Sequence, residues 1–300
     1  MQNTMDINKI LSNPRRMKAI TGLSKEEFLQ LLPLFELVLL DSQKSKNRKR
    51  KVGGGRKGNI KSPLQKLFYV LFYVKCYPTN DMSAFIFGST KTRTQVWNRD
   101  ILPLLEKTLG RICVLPVRRL SSPEEFYQLF PGITEVMIDG VERPIQRSKK
   151  DKTQKKHYSG KKKRHTRKNV IFTDSKKRVL VLTPSKHGKV HDKKLSDKFG
   201  VVENIPPKVA ILADSGFQGI QKIHEEILMP KKKPRGGFLN VDDKAMNTLI
   251  SSVRIKVEHT ISGIKRMRCV YDVFRNKKGS DDMHMNVACG LWNFHIEFSL

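Results

Sequence analysis

Three carboxylates stand out by type and setting. Asp139 closes the apolar run Val136-Met137-Ile138, Asp214 closes Val209-Ala210-Ile211-Leu212-Ala213, and Glu258 lies in the helical stretch Ser251–Arg268. A carboxylate at the tip of a buried run is costly unless it binds something. Two such tips on neighbouring strands repel each other. A divalent cation relieves the repulsion, and hard oxygen ligands select Mg2+ or Mn2+. Two ions held about 4 Å apart can activate a water or a hydroxyl and stabilise the leaving oxygen of an in-line displacement at phosphorus. Taken singly, each Asp is also an ordinary strand-end turn residue. All three together, in this order on a basic chain, point to phosphoryl chemistry.

The stretch Ser251–Arg268 reads as one helix that must turn Glu258 inward. Ile250, Val253, Val257, Ile261 and Ile264 form one apolar stripe at about 100° per residue. With Arg254 at 0°, Glu258 lies near about 40° and Lys265 near about 20°, so two cations and a carboxylate line up beside the stripe. The plainer reading is an ion pair between Arg254 and Glu258, of the kind that stabilises a helix by about 0.2–0.5 kcal/mol. On this reading the pair forms when metal and DNA are absent. His259, near about 140°, points away from Glu258 and is not counted as catalytic.

The elements that would carry the aspartates follow from a change of period at residue 134. After Val136–Gly140 come a second apolar run, Asn169–Thr173, a polar turn over 174–178, and a third run, Val179–Thr183. A helix is expected over His191–Phe199, a fourth strand over Val209–Asp214, a helix over Ile220–Glu226 and a short strand over Ile227–Met229. Three antiparallel strands, a helix, a fourth strand, then helix, strand and helix is the order of a ribonuclease H-like architecture. That is an α/β (α+β) fold, a mixed sheet flanked by helices, expected over residues 134–298. Its last helix starts at Asp281 and packs through Met283, Val287, Leu291, Phe294 and Phe298.

Ahead of this domain the period is helical. Residues 1–40 form a helical region in which Ser24-Lys25-Glu26-Glu27 is a capping box, followed by Phe28, Leu31, Leu32, Phe35 and Leu39 at helical spacing. Residues 41–61 carry a dense run of basic residues and three consecutive glycines, and read as a charged linker. Residues 62–110 read as a helix started by Ser62-Pro63, a short helix from Asn80 to Phe87, a Gly88-Ser89 turn and a longer helix to about Leu109. That is a helix-turn-helix arrangement, in which the start of the last helix enters the major groove. Here that start offers Lys91, Thr92, Arg93, Thr94, Gln95, Asn98 and Arg99. Arg and Gln make bidentate contacts to base edges, and Lys suits phosphates. An ordinary three-helix bundle with a polar face is the bland alternative.

Bulk composition agrees. The chain has 300 residues, 38% hydrophobic, and a formal net charge of +31, an imbalance that a polyanion offsets. No apolar run is long enough to span a bilayer, which disfavours a membrane partner. Cys76, Cys113, Cys269 and Cys289 form no CxxC pair, so neither a zinc site nor a disulfide framework is expected, and a reducing cytoplasm fits.

Three motifs together resemble bacterial insertion-sequence transposases of the DDE type, in particular the family named for insertion sequence five. They are Ile138-Asp139-Gly140-Val141-Glu142-Arg143-Pro144-Ile145, Leu212-Ala213-Asp214-Ser215-Gly216-Phe217-Gln218-Gly219, and Arg254 with Glu258 and Lys265. The segments 157–166, 188–195 and 229–236 and the helical stretch 62–109 add to the likeness, which spans nearly the whole chain. One position departs: the family's Tyr three residues before the Arg is Ser251 here, which bears on a DNA contact and not on the chemistry.

The resemblance implies that Asp139, Asp214 and Glu258 are the metal-binding catalytic triad for two Mg2+ (or Mn2+) ions. It implies that Arg254 and Lys265 hold DNA near the scissile phosphate. The basic tract 143–168, with Arg143, Lys161, Lys162, Lys163 and Arg164 and with His157 and Tyr158 inside it, would line the DNA channel. His191 and Asp192 lie beside the expected active face or simply start a helix. The activity expected is binding of an element's terminal repeats, metal-dependent hydrolysis at its ends and joining of the 3′-hydroxyl to target DNA. The partners expected are double-stranded DNA and a second copy of the chain, with no small-molecule cofactor, in the bacterial cytoplasm at the nucleoid. The alternatives are a DNA-binding protein without catalysis, such as a repressor or transposase relic, and a plain ribonuclease H-like nuclease.

Overall fold

The computed structural model describes residues 5–44, 58–234, 236–276 and 279–298. Most of the basic linker, residues 45–57, lies outside these, as does Arg235 of the basic stretch 231–236. The chain divides into two compact units: Met1–Leu115 with Lys265–Asp272 and Met283–Leu300, and Pro116–Ile264 with Val273–Asp282.

The first unit is helical. Ser24 and Glu27 form the expected capping box, with Glu27 N donating to Ser24 Oγ and Ser24 N to Glu27 Oε2, and the helix Lys25–Lys44 buries Phe28, Leu31, Phe35 and Leu39. Helices Pro63–Cys76, Asn80–Ile86 and Lys91–Arg111 follow, each capped by the side chain ahead of it, Ser62, Thr79 and Thr90. The middle of this trio is held by aromatic edges: Tyr69 packs against Phe87 and Trp97. The C-terminal helix Asp281–Phe298 contributes Met283 onward to this unit. There Asn293 donates to Val114 O and Asn286 to Glu106. The compact units therefore do not follow linear order.

The second unit is a mixed sheet with helices. Its strands are β1 (Glu135–Pro144), β2 (Tyr158–Ser159), β3 (Arg164–Thr173), β4 (Val179–Leu182), β5 (Lys186–His187), β6 (Ala210–Ala213) and β7 (Ile227–Leu228). The seven strands run in the order β2-β3-β1-β6-β7, with β4 and β5 also paired to β3. β1 pairs antiparallel with β3 and parallel with β6, and β6 pairs parallel with β7. This mixed α/β arrangement is consistent with a ribonuclease H-like domain. Its core is built from Val136, Ile138, Val170, Phe172, Leu195, Ile211 and Phe217.

Several boundaries differ from the sequence reading, for physical reasons. β1 does not stop at Asp139 but runs five residues on, paired with β3 as far as Pro144 opposite Thr166. Charged residues are tolerated there because an antiparallel ribbon brings opposite charges face to face: Glu142 stands opposite Lys168, 3.3 Å apart at their charged ends. The helix expected over Ile220–Glu226 is replaced by one 3-10 turn, Ile220–Lys222, preceded by another at Ser215–Phe217. The helix expected over Ser251–Arg268 spans Val241–Ile264 instead. The hairpin between β3 and β4 is tied by Asp174, which accepts from Arg178 N and Nε, while Lys177 takes a left-handed φ of 69°. Thr260 of the long helix donates to Lys177 O, fixing the helix against that turn.

Candidate active site

The two aspartates meet through register. β1 and β6 pair in parallel with Ile138 opposite Ala213, and the next residue on each chain is Asp139 and Asp214. Adjacent strands lie about 4.8 Å apart, so the two carboxylates leave the sheet side by side. Each accepts a hydrogen bond from the following backbone N–H, Gly140 N to Asp139 Oδ1 at 2.6 Å and Ser215 N to Asp214 Oδ1 at 2.6 Å. Burial pushes the Asp139 carboxyl above the usual carboxylate range. The Gly140 N–H and the Arg254 guanidinium oppose this, and the carboxylates of Asp192 and Asp214 reinforce it.

Arg254 comes from the long helix. Its Nη2 lies 3.6 Å from Asp214 Oδ2, and its Nε is buried without a hydrogen-bond partner. The ion pair expected between Arg254 and Glu258 is thus replaced by one to Asp214, because a half-buried guanidinium finds a strand-end carboxylate in place of an exposed one. Glu258 is exposed on the same helix, one turn or about 6 Å of axial rise further on. His259 is exposed too. Lys265 is the first residue past the end of the helix at Ile264. Ser251 is exposed.

A third aspartate, whose role the sequence left open, joins the first two. Asp192 opens the helix Asp192–Lys198, and its preceding residue, His191, makes no side-chain cap. A Cβ placed on Gly140 would fall 2.6 Å from Asp192 Oδ1, and one on Gly216 would fall 3.6 Å from Asp192 Oδ2. Lys168, with a side chain only 8% exposed, lies 2.9 Å from Asp192 Oδ1 and 3.3 Å from Glu142 Oε1, and donates to Val190 O at 2.8 Å. The signals that could have found this cluster are a glycine after each catalytic-type Asp run and the His-Asp pair at a helix start.

The oxygen donors fit a hard divalent cation. Asp139 and Asp214 stand side by side, and Asp192, ion-paired with Lys168 at 2.9 Å, lies against the residues that follow them, Gly140 and Gly216. Among the described residues, no three His, Cys, Asp or Glu side chains converge tightly enough to enclose an ion. The arrangement is therefore an open set of carboxylates, and Glu258 is not gathered into it.

The residues expected to bind DNA divide sharply. Lys161, Lys162 and Lys163, between β2 and β3, and Arg164, which opens β3, are exposed, as a phosphate-binding surface requires. Arg143 is not available: its side chain is 2% exposed and donates to Asp281 O, Asn169 Oδ1 and Ser185 Oγ. It is a core cation because position 143 faces the same side of β1 as buried Val141. His157 is likewise turned inward, its Nε2 3.0 Å from His187 Nδ1, while Tyr158 is exposed. Beside the Asp214 loop, Ser215, Gln218, Lys231, Lys232 and Phe238 line an open cleft of about 410 Å³.

In the first unit Lys91, Arg93, Gln95 and Arg99 are exposed at the start of the helix Lys91–Arg111. Lys91 pairs with Asp81 at 2.9 Å and Arg99 with Asp100 at 2.8 Å. Thr94 and Asn98, expected on the same outer face, point inward. Thr94 donates to Asn80 O, and Asn98 accepts from Tyr69 Oη at 2.7 Å.

Comparison with known proteins bears on the second unit above all. The profile of the DDE superfamily endonucleases matches residues 138–293. A probable transposase for insertion sequence element IS702 from Microchaete diplosiphon is 32% identical over 161 residues, 54% of this chain. The match spans 57% of the length of that relative. No solved structure matches.

Proposed function

This chain belongs to the DDE superfamily endonucleases, and on that premise we propose that it is an insertion-sequence transposase, akin to the family named for insertion sequence five, that cuts its element's ends and joins them to target DNA. The observation that carries this reading is the parallel register of Ile138 and Ala213, which sets Asp139 and Asp214 next to each other inside the matched region. Asp139 and Asp214, with Glu258 from the helix that carries Arg254, would hold Mg2+ or Mn2+, and bound ions supply Lewis-acid charge at the scissile phosphodiester.

The chain's own residues do the rest of the work. Arg254 sits beside the carboxylates as a cation whose guanidinium a phosphate can engage. The exposed run Lys161–Arg164 and the lysines of the cleft, Lys231 and Lys232, meet the backbone of the duplex and supply affinity without reading sequence. The helices Pro63–Cys76, Asn80–Ile86 and Lys91–Arg111 act as a helix-turn-helix, with Arg93 and Gln95 at base edges and Lys91 and Arg99 at phosphates. Two copies of the chain act together, one at each end of the element. A 3′-hydroxyl released at the element end is the nucleophile for joining, so no covalent protein intermediate is needed.

Incubation with labelled terminal-repeat DNA and a target plasmid tests this. The expected result is cleavage and joined product with Mg2+ or Mn2+, both lost in Asp139→Ala, Asp214→Ala and Glu258→Ala. Cleavage intact in all three variants would overturn the site assignment. Binding without cutting in the native chain would mark a repressor or relic, and cutting without joining a plain nuclease.

A further inference from the structure

Gly140 occupies the middle of a strand, where glycine weakens pairing and has no side chain to pack. Its backbone is not in the left-handed region, so conformation does not require it. Space does: the Asp192 carboxylate fills the place where a Cβ would sit, 2.6 Å from Oδ1 and 2.7 Å from Cγ. The other oxygen faces Gly216, two residues beyond Asp214. One carboxylate is thus bracketed by the residue after Asp139 and the loop after Asp214.

A helix-opening Asp ordinarily projects into water. This one is drawn against the sheet and held there by Lys168, a buried ammonium that also pairs with Glu142 and donates to the carbonyl just ahead of the helix, at Val190. Glu142, Lys168 and Val190 thereby lock three separate segments, β1, β3 and the chain entering the helix, around a single carboxylate. Such a locked geometry is what a metal ligand's supporting residues supply. Asp192 is balanced by Lys168 and Asp214 by Arg254, while Asp139 feels both neighbouring carboxylates, which raise its carboxyl further.

We infer that Asp192 is a further carboxylate of the divalent-cation set, acting with Asp139 and Asp214, and that Lys168 is the residue that positions it. The inference rests on the endonuclease reading of that site and adds a member to it.

Two measurements on the full chain test it, neither depending on catalysis. In the first, Fe2+ with ascorbate and peroxide replaces the native ion, and hydroxyl radicals cut the backbone next to bound iron. Cuts are expected near residues 139–141, 191–193 and 214–216 and are suppressed by excess Mg2+. Cuts at the first and third places without the second would overturn the role of Asp192 while leaving the site intact. In the second, Mn2+ binding is followed by calorimetry. Asp192→Asn is expected to weaken Mn2+ at least about 10-fold, Lys168→Met by a smaller factor, and Asp192→Glu to recover part of the loss. Asp192→Asn binding Mn2+ within twofold of the native chain, beside an Asp139→Asn variant that has lost it, would overturn the inference alone. Retention of Mn2+ by Asp139→Asn as well would overturn both the inference and the site reading.

Discussion

Arg143 donates through Nη1 to the main-chain oxygen of Asp281 at 2.7 Å, and its Nη2 lies 3.3 Å from the carboxylate of the same residue. Asp281 also accepts from Arg167 Nε at 3.0 Å, and its side chain is 7% exposed. The second unit thus keeps a buried cation where the sequence suggested a DNA contact. The far end of β1 is secured nearby by Phe274 N donating to Pro144 O.

Arg143→Ala should therefore act on stability. Asp281 keeps Arg167, but Asp281 O, Asn169 and Ser185 lose a buried donor, at about 1–3 kcal/mol for each group left unsatisfied. Chemical denaturation should show a lower midpoint. DNA affinity of the folded fraction, measured in low denaturant, should stay within twofold of the native chain; a large selective loss of DNA binding would restore Arg143 to the interface.

Acid should loosen the same region through Asp282. Burial alone would raise its carboxyl, but hydrogen bonds from Ser185 and the Arg118 guanidinium outweigh that and hold it below the usual carboxylate range. A depressed folded-state value means that its stabilisation is present above the unfolded value of about 3.9 and is lost as pH falls through the lower folded value. Asp282→Asn should lower stability at neutral pH and flatten the acid limb of a stability-versus-pH curve. An unchanged acid limb would contradict the assignment.

The exposed run from Lys161 to Arg164 should control salt dependence. Replacing all four with Gln should weaken binding to any duplex alike and reduce the slope of log affinity against log salt by up to about 4, if each meets one phosphate. Anisotropy titrations across a salt series read this directly. A change confined to one DNA sequence would assign these residues to base reading instead.

In the helical unit, neighbours on one helix should separate by role. Arg93→Ala and Gln95→Ala should leave the melting temperature nearly unchanged and lower the preference for terminal-repeat over random DNA, by about 1–3 kcal/mol where a bidentate base contact is lost. Thr94→Val should do the reverse, because its hydroxyl is spent inside on Asn80 O and Lys91 O. Competition binding with parallel melts distinguishes the two.

Gly140→Ala adds one methyl group against Asp192. To make room the carboxylate must leave Lys168, so the melting temperature should fall modestly and metal-supported cleavage should fall further. A variant as active as the native chain would show that Asp192 has no need of its present seat.

Much of this protein was determined by the sequence itself. The run Val136–Ile138, the hairpin runs 169–173 and 179–183 and the run before Asp214 became strands because branched, apolar residues suit a pleated buried surface. The capping signals at Ser24 and Ser62 became helix starts, because a cap is a bond between residues two or three apart. The excess of cations was legible as an affinity for polyanions. Tertiary structure alone decided which charges face which. Asp139 and Asp214 are 75 residues apart and meet only through the β1–β6 register. Arg143 and Lys161 are both basic residues of one tract, yet the alternation of a strand buries the first and a turn exposes the second. Arg254 took Asp214 and not Glu258, and Asp192 was drawn in by Lys168 and a missing Cβ at Gly140. Local periodicity reports which face of an element is apolar. The identity of a partner across the sheet depends on register and packing, and those are set by the whole chain at once.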